Sequence, residues 1–329
     1  MPRVAIFVLM AMALSLPMVA LARSATPAAS PSIASSDFAG LVDIGGGRRL
    51  WLECRGHGSP TVILEAGSGD NAEVWDTIAL GPDSGEIAVL PGVAAFTRVC
   101  AYDRPGTLID ADHQSRSDPV PMPRTAADAV ADLHALIATA GIPGPYVLVG
   151  HSLGGIIVRL YAATYPDEIA GLVLVDASHE EQYVRFQAVL TAEQWAALQE
   201  QAQPGADVDP ARERIDFEAS FAELREATHP LPPLPLVVLT HGVTSPMVSP
   251  EAQALLPVDV PWDALEAVLQ ELQDELAALT PDARHVIASR SGHYIQIEQP
   301  ELVIEAIRQV VAGVRNPDTW DDLTSCCTD

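Results

Sequence analysis

A short glycine-rich turn between an apolar strand and an apolar helix constrains this chain more than any other feature of its sequence. The turn is Gly150-His151-Ser152-Leu153-Gly154-Gly155; the run Tyr146–Gly150 (YVLVG) leads into it, and an amphipathic helix follows. So sharp a turn holds Ser152 in a strained backbone conformation with its Oγ exposed. Gly150 and Gly154 are needed because a side chain at either position would collide with the neighbouring strand or helix. Since a helix N-terminus also favours developing negative charge, the sequence predicts that Ser152 is a nucleophile.

Strands and helices alternate along most of the chain. The first two apolar runs flank three consecutive glycines and predict a hairpin. Because the later runs are apolar on both sides and alternate with helices, they indicate an α/β fold with a mostly parallel sheet covered on both faces. The predicted strands are Leu41–Ile44, Leu50–Cys54, Thr61–Glu65, Arg98–Tyr102, Tyr146–Gly150, Leu172–Val175, Leu236–Leu239 and His285–Ala288, and the main helices are Ala126–Ala140, Trp262–Leu279 and Leu302–Val311.

The segment 180–235 interrupts this alternation. It contains no strand-like run but two amphipathic helical segments, one with Trp195 and Leu198 and the other with Phe217, Phe221 and Leu224. We expect it to form a helical lid over the carboxyl edge of the sheet. The catalytic core is then assigned to 38–179 and 236–315, with a C-terminal tail at 316–329.

The N-terminus reads as a targeting signal. Arg3 is followed by an uncharged run to Ala20, and Ala20-Leu21-Ala22 offers the small residues that a signal peptidase needs. We expect a signal peptide at 1–22, a flexible linker at 23–37 and a secreted or periplasmic protein. The alternative is an uncleaved membrane anchor, although the run is at the short limit for spanning a bilayer. No later stretch is long and apolar enough to cross one.

A serine nucleophile needs a general base, and the loop Ser291-Gly292-His293-Tyr294 offers one. It follows the last predicted strand, and a nucleophile early in the chain with a histidine near its end is the expected order. His293 is therefore the candidate base. His151 adjoins the nucleophile but is expected to point elsewhere, whereas His179 and His241, at other strand ends, could line a pocket.

At these residues, together with Tyr102-Asp103-Arg104-x-Gly106, the chain resembles the α/β-hydrolase superfamily. More closely, it is similar to the bacterial serine hydrolases of the esterase, proline iminopeptidase and carbon–carbon hydrolase group, from about Leu41 to Val314. The resemblance implies an eight-stranded sheet and a Ser–His–acid triad without a metal or an organic cofactor. Asp103-Arg104 is interpreted as part of a structural salt bridge beneath the site.

The acid of the triad departs from the common pattern of these hydrolases. They usually place it shortly after the seventh strand, but here that strand continues into a segment without a carboxylate before Glu251. Asp176, directly after the sixth strand, is better placed, because both strand ends face the same histidine. Glu251 or an acid within Asp259–Glu266 remains the alternative.

The resemblance also implies an oxyanion hole and a disulfide. One N–H donor comes from Leu153, after the nucleophile, and the other from Ser68 in the loop Ala66-Gly67-Ser68-Gly69. Four cysteines allow three pairings. Cys54 and Cys100 fall on strands that the family places side by side, so their pairing is preferred over one with Cys326 or Cys327.

The net charge of the chain excludes one class of binding partner. The chain has 329 residues with 18 Lys+Arg against 44 Asp+Glu, a net charge of −26, which argues against nucleic-acid binding. The leading hypothesis is an exported serine hydrolase that cleaves a carboxylic ester in a small acyl substrate. A proline-iminopeptidase-like enzyme, a carbon–carbon hydrolase and a non-catalytic ligand-binding protein on the same fold are the alternatives. The sequence does not specify an oligomeric state.

Overall fold

An eight-stranded sheet of order β1-β2-β4-β3-β5-β6-β7-β8 organises the fold. The computed structural model describes residues 33, 36–81, 84–109, 114–202, 209–227, 231–243 and 257–320. The pairs β1–β2 and β2–β4 are antiparallel and the other pairs are parallel. The predicted hairpin and mostly parallel sheet are therefore confirmed. The strands are β1 Phe38–Gly45, β2 Arg48–Arg55, β3 Thr61–Glu65, β4 Val99–Tyr102, β5 Tyr146–His151, β6 Ile169–Val175, β7 Leu236–His241 and β8 Arg284–Ala288.

Helices cover both faces of the sheet, as the alternating pattern predicts. On one face, α1 and α9 bury Val89 and Val303, and on the other, α2 and α3 bury Leu133 and Ile157. In the described part of the chain no helix combines the length and the apolar character needed to cross a bilayer. The described α-helices are α1 Val89–Ala94, α2 Ala126–Ala140, α3 Leu153–Thr164, α4 Gln182–Val189, α5 Ala192–Ala202, α6 Phe217–Ala227, α7 Trp262–Ala277, α8 Ile295–Glu298 and α9 Pro300–Arg315.

The described part of the segment 180–235 contributes α4, α5 and α6. The last of these is anchored in the core, because Phe221 and Leu224 are fully buried against α2 and α3. That this segment forms a lid over the site stays a prediction. Its residues 203–208 and 228–230 lie outside the described ranges.

Several predictions concern residues that the structure does not describe. The signal peptide at 1–22 and most of the linker at 23–37 are among them, as are Glu251 and the Cys326-Cys327 pair. At the start of the predicted tail, Trp320 is buried and donates a hydrogen bond from Nε1 to the carbonyl of Asp282 at 3.1 Å. The chain thus packs onto the core at least to this residue.

Cys54 and Cys100 lie directly opposite each other on β2 and β4, and both are buried. The structure joins them by a disulfide. The register of two adjacent antiparallel strands brings these side chains together, as the resemblance implies. Formation of the bond in the isolated protein stays a prediction and is tested below.

Candidate active site

The turn between β5 and α3 places Ser152 in a conformation that L-residues rarely adopt, with φ 51° and ψ −119°. Its N–H donates to the carbonyl of Val175 at 3.2 Å, and its own carbonyl accepts from Gly155 and Ser178, each at 2.9 Å. The hydroxyl makes no capping hydrogen bond to α3. The strain is thus held by backbone contacts, and Oγ is left available at the helix N-terminus.

The glycines of this turn are required by close backbone approach. A Cβ on Gly150 would lie 2.5 Å from the carbonyl oxygen of Gly154, and one on Gly154 would lie 2.4 Å from that of Glu65. No ordinary Cβ tolerates such distances. The steric reason predicted from the sequence is confirmed, and the second contact also places the start of α3 against the end of β3.

Asp176 and His293, predicted as acid and base, lie in direct contact. Nδ1 of His293 donates to Oδ2 of Asp176 at 2.6 Å, across a sequence separation of 117 residues. The Asp176 side chain is 6% exposed and that of His293 is 34% exposed. Because Nδ1 carries the proton in this bond, Nε2 of a neutral His293 is free to accept one.

Asp176 is held by its backbone as well. It adopts φ 42°, in the left-handed region, and its N–H donates to the carbonyl of Leu239 on β7 at 2.8 Å. Two non-glycine residues in the described chain have a positive φ, Ser152 and Asp176. Such strain persists only where the surroundings hold it, and it concentrates at functional sites.

The sequence offers His241 as a residue that could line a pocket, but its contacts are different. Its Nδ1 lies 2.7 Å from Oδ1 of Asp176, and its backbone N–H donates to the same oxygen at 3.1 Å. Its Nε2 lies 2.8 Å from Oε1 of Glu266 on α7. Rather than lining a pocket, His241 bridges two carboxylates. Glu266, one of the alternative acids, therefore contacts His241 and not His293.

A signal for this contact is present in the strand order. In the parallel pair β6–β7, Val175 is opposite Leu239, so Asp176, just past the end of β6, lies beside the last residues of β7. His241 is the last residue of that strand. The direction of the imidazole, however, depends on the position of α7, and no local sequence pattern predicts that position.

Asp176 and His241 shift one another's pKa values toward their charged forms. Burial opposes ionisation of Asp176, but the hydrogen bonds from His241 and His293 outweigh it and hold the pKa of the carboxyl below its ordinary value. The hydrogen bond to Asp176, opposed by burial and reinforced by both carboxylates, raises the pKa of His241 to about 9. These pKa shifts favour an ionised Asp176 with a protonated His241 on one side and with His293 on the other.

His151 supports the loop that carries His293. The ring is buried, and its Nε2 donates to the carbonyl of His293 at 2.9 Å. Burial, followed by the nearby charge of His293, lowers the pKa of His151 to about 3, so it is neutral at physiological pH. It positions a neighbouring backbone and does not act as a base.

The loop 66–69 is fixed against this turn by Arg104. Its Nη1 donates to the carbonyl of Ala66 at 2.8 Å and its Nη2 to that of Gly67 at 2.6 Å. In a trans peptide the C=O and the following N–H point in opposite directions, so the N–H of Ser68 points away from Arg104. A Cβ on Gly67 would lie 2.8 Å from Nδ1 of His151, which shows how closely the loop approaches the Ser152 turn.

Buried ion pairs lie under this loop. Arg104 contacts Glu65 at 2.6 Å and Glu213, from the segment 180–235, at 2.7 Å. Glu213 also accepts the N–H of Gly69 at 2.7 Å. Asp103 pairs instead with Arg116 at 2.7 Å. The sequence predicts one structural salt bridge for Asp103 and Arg104. Instead, each of the two residues forms ion pairs with different partners.

His179, the other histidine predicted to line a pocket, does not contact Asp176 or His293 in the described structure. His179 accepts the N–H of Glu181 at Nδ1, at 3.1 Å, and lies 3.7 Å from Glu275. Among the described residues, no group of three or more His, Cys, Asp or Glu side chains is arranged to hold a metal ion.

Residues 57–306 match the alpha/beta hydrolase family. The match covers most of the chain, which therefore belongs to this family. The resemblance stated from the Ser152 turn and the His293 loop is confirmed at this level.

Curated relatives differ in how much of their length the chain spans. It is 26% identical to the "Probable transporter efuK" of Hormonema carpetanum, over 86% of this chain and 44% of that protein. It is 23% identical to an "AB hydrolase superfamily protein" of Gibberella zeae, over 83% of this chain and 94% of that protein. A 33% identical match covers 47% of this chain and 50% of the "Pimeloyl-[acyl-carrier protein] methyl ester esterase" of Chromobacterium violaceum.

Solved structures agree with the fold. A hydrolase from Pseudomonas aeruginosa PA01 matches with a TM-score of 0.52 and 23% identity, over 82% of this chain and 96% of that one. At this identity the likeness concerns the fold alone.

Proposed function

We propose that this protein is a serine hydrolase that cleaves a carboxylic ester, with Ser152 as nucleophile, His293 as general base and Asp176 as the acid of the triad. The observation that carries the proposal is the 2.6 Å hydrogen bond between His293 and the buried Asp176. It lies in the same site as a serine held in a strained turn at a helix N-terminus. Along the chain the nucleophile comes first, the acid second and the histidine last, which is the order expected of this fold.

The first half of the reaction forms an acyl-enzyme. Ser152 Oγ attacks the acyl carbon while Nε2 of His293 takes its proton, and Asp176 stabilises the resulting imidazolium. When the tetrahedral intermediate collapses, the bond to the alcohol oxygen breaks and His293 returns the proton to the leaving alcohol. In the second half water attacks the Ser152 ester while His293 takes its proton. The bond between the acyl carbon and Oγ then breaks, His293 returns the proton to Oγ, and the carboxylic acid leaves.

Two backbone donors are proposed for the oxyanion. The N–H of Leu153 is the first of α3, where the helix dipole favours negative charge. The N–H of Ser68 is directed away from Arg104 by the hydrogen bond on the Gly67 carbonyl. Since both groups are fixed before substrate binds, they stabilise the transition state without reorganisation.

An ester is the substrate class that the relatives favour. The Chromobacterium violaceum protein is named a methyl ester esterase, and its match covers about half of each chain. The choice of acyl chain and alcohol depends on side chains of the pocket and of the segment 180–235, which fold-level likeness does not supply.

The test is hydrolysis of p-nitrophenyl acetate and butyrate together with labelling by a fluorophosphonate probe. We expect hydrolysis with a rapid first release of p-nitrophenol equal to the enzyme concentration, because p-nitrophenol is a good leaving group and deacylation of the acyl-enzyme is then the slower step. The probe should modify the protein once, at Ser152. Labelling without ester hydrolysis would move the substrate to another acyl class, and the absence of both would contradict a serine hydrolase and leave the non-catalytic binding protein.

Export is the second part of the proposal. A cleaved signal at 1–22 would leave 329 − 22 = 307 residues beginning at Arg23. It would also deliver the chain to an oxidising compartment, where Cys54 and Cys100, adjacent in register, are expected to pair.

One intact-mass measurement of the protein recovered from the expressing cells tests both points. We expect the mass of a chain that begins at Arg23, with two cysteines that react with an alkylating reagent only after reduction. Peptide mapping should assign those two to Cys54 and Cys100. A mature chain that retains Met1, or in which all four thiols react without reductant, would contradict the proposal.

A further inference from the structure

His241 lies between two carboxylates in a way that a merely structural histidine does not need. Each of its ring nitrogens faces a carboxylate oxygen, Nδ1 that of Asp176 at 2.7 Å and Nε2 that of Glu266 at 2.8 Å. Both His241 and Asp176 are 6% exposed at their side chains, and Glu266 is 25% exposed. A neutral imidazole has one N–H and one lone pair, so it could satisfy only one of these ionised acceptors.

We infer that His241 is a positioning residue of the proposed triad: an imidazolium clamped between Glu266 and Asp176, it holds the Asp176 carboxylate in register for His293 and moderates its charge. The inference rests on the proposed function, since His293 must be the base for Asp176 to need positioning. It adds a residue that the Ser–His–Asp scheme itself does not contain.

The positioning follows from which oxygen each donor uses. The ring and the backbone N–H of His241 both bind Oδ1 of Asp176, whereas His293 binds Oδ2. The two donors on Oδ1 fix the rotation of the carboxylate, so Oδ2 is presented to His293. Glu266 is held in turn by Nε2 of Gln270, at 2.9 Å, from the next turn of α7.

Ionisable groups from several elements surround Asp176 and His241. Asp176 faces His241 from β7 and His293 from the loop after β8, and His241 faces Glu266 from α7. His151 and Asp70 lie further along, beside His293. The elevated pKa of His241, about 9, agrees with an imidazolium throughout the neutral range.

Two substitutions are expected to change the protonation of His293 in opposite directions. His241→Gln removes a positive charge beside Asp176, so the carboxylate stabilises a protonated His293 more strongly and the base is lost at higher pH. Glu266→Gln keeps the imidazolium, which Asp176 still binds, but removes its compensating negative charge. Protonation of His293 then becomes less favourable, and the base survives to lower pH.

The experiment measures the rate of fluorophosphonate labelling, and of p-nitrophenyl butyrate hydrolysis, against pH in the full chain and its variants. We expect the acid limb of the profile to move up by about half a unit to one unit in His241→Gln and down by a similar amount in Glu266→Gln, a size typical of one neighbouring charge. The plateau rate should fall about 10- to 100-fold in His241→Gln, as for other residues that orient a catalytic group, with KM little changed.

His285→Gln is the matched control. His285 lies on the neighbouring strand β8 and pairs with Asp274, also on α7, at 3.2 Å, and it does not contact Asp176. Its profile should coincide with that of the wild type. Unchanged limbs in both His241→Gln and Glu266→Gln, or limbs that move in the same direction, would overturn the inference while labelling of the wild type kept the proposed function intact.

Histidine ¹⁵N NMR supplies a readout that does not need activity. His241, assigned by its loss in His241→Gln, should carry protons on both ring nitrogens at pH 7 and titrate near pH 9. A His241 that is neutral at pH 7 overturns the inference whether or not the protein hydrolyses esters. A wild type that no probe labels at any pH overturns the proposed function, and with it the positioning role.

Discussion

Ser152→Ala is expected to lower kcat for p-nitrophenyl butyrate by about 10⁵- to 10⁶-fold, the loss typical of removing the nucleophile of a serine triad. The hydroxyl is positioned by the turn itself, because Ser152 is held at φ 51° by backbone hydrogen bonds to Val175 and Ser178. The fold should survive, since the hydroxyl makes no capping hydrogen bond to α3. Stopped assays on the purified variant, with its thermal unfolding midpoint as a check of folding, measure the effect.

Ser84→Ala, at an exposed serine, is the matched control and should retain full activity. Fluorophosphonate labelling should disappear in Ser152→Ala and persist in Ser84→Ala. Hydrolysis that survives in Ser152→Ala at more than a hundredth of the wild-type rate would assign the nucleophile to another residue.

Asp176→Asn is expected to reduce kcat by about 10⁴-fold, the loss seen when the acid of a triad becomes an amide. An amide group offers an N–H where Nδ1 of His293 now donates, so the imidazole is turned to the tautomer that cannot accept a proton from Ser152. The same change removes the anion that His241 contacts at 2.7 Å. KM should change little, because the carboxylate is buried and touches His293 rather than substrate.

Glu251→Gln is the comparison that decides between the candidate acids, and Asp274→Asn, on the exposed side of α7, is the control for loss of a carboxylate near the cluster. Only Asp176→Asn should lose activity by orders of magnitude. If Glu251→Gln were the inactive variant and Asp176→Asn remained within threefold of the wild type, the acid would follow the seventh strand, as is common in the family.

The sequence determined those features of this protein that depend on neighbours along the chain. The alternation of apolar runs and helices specified the parallel sheet, and the glycines around Ser152 specified a turn that only a strand followed by a helix can contain. Such features follow from steric limits and periodicity within a few residues, so they can be read without coordinates. The choice of His293, after the last strand, as the candidate base followed from the same order of elements.

Only the tertiary structure decided which side chains meet. His293 binds Asp176 across 117 residues, and His241 reaches it across 65. The parallel register makes Asp176 and His241 neighbours, but the direction of the imidazole depends on where α7 presents Glu266. Likewise, Arg104 pairs with Glu213 of the segment 180–235 and not with the adjacent Asp103. A hydrogen bond is made or lost within less than an ångström, and the packing of distant elements, not the local sequence, sets distances on that scale.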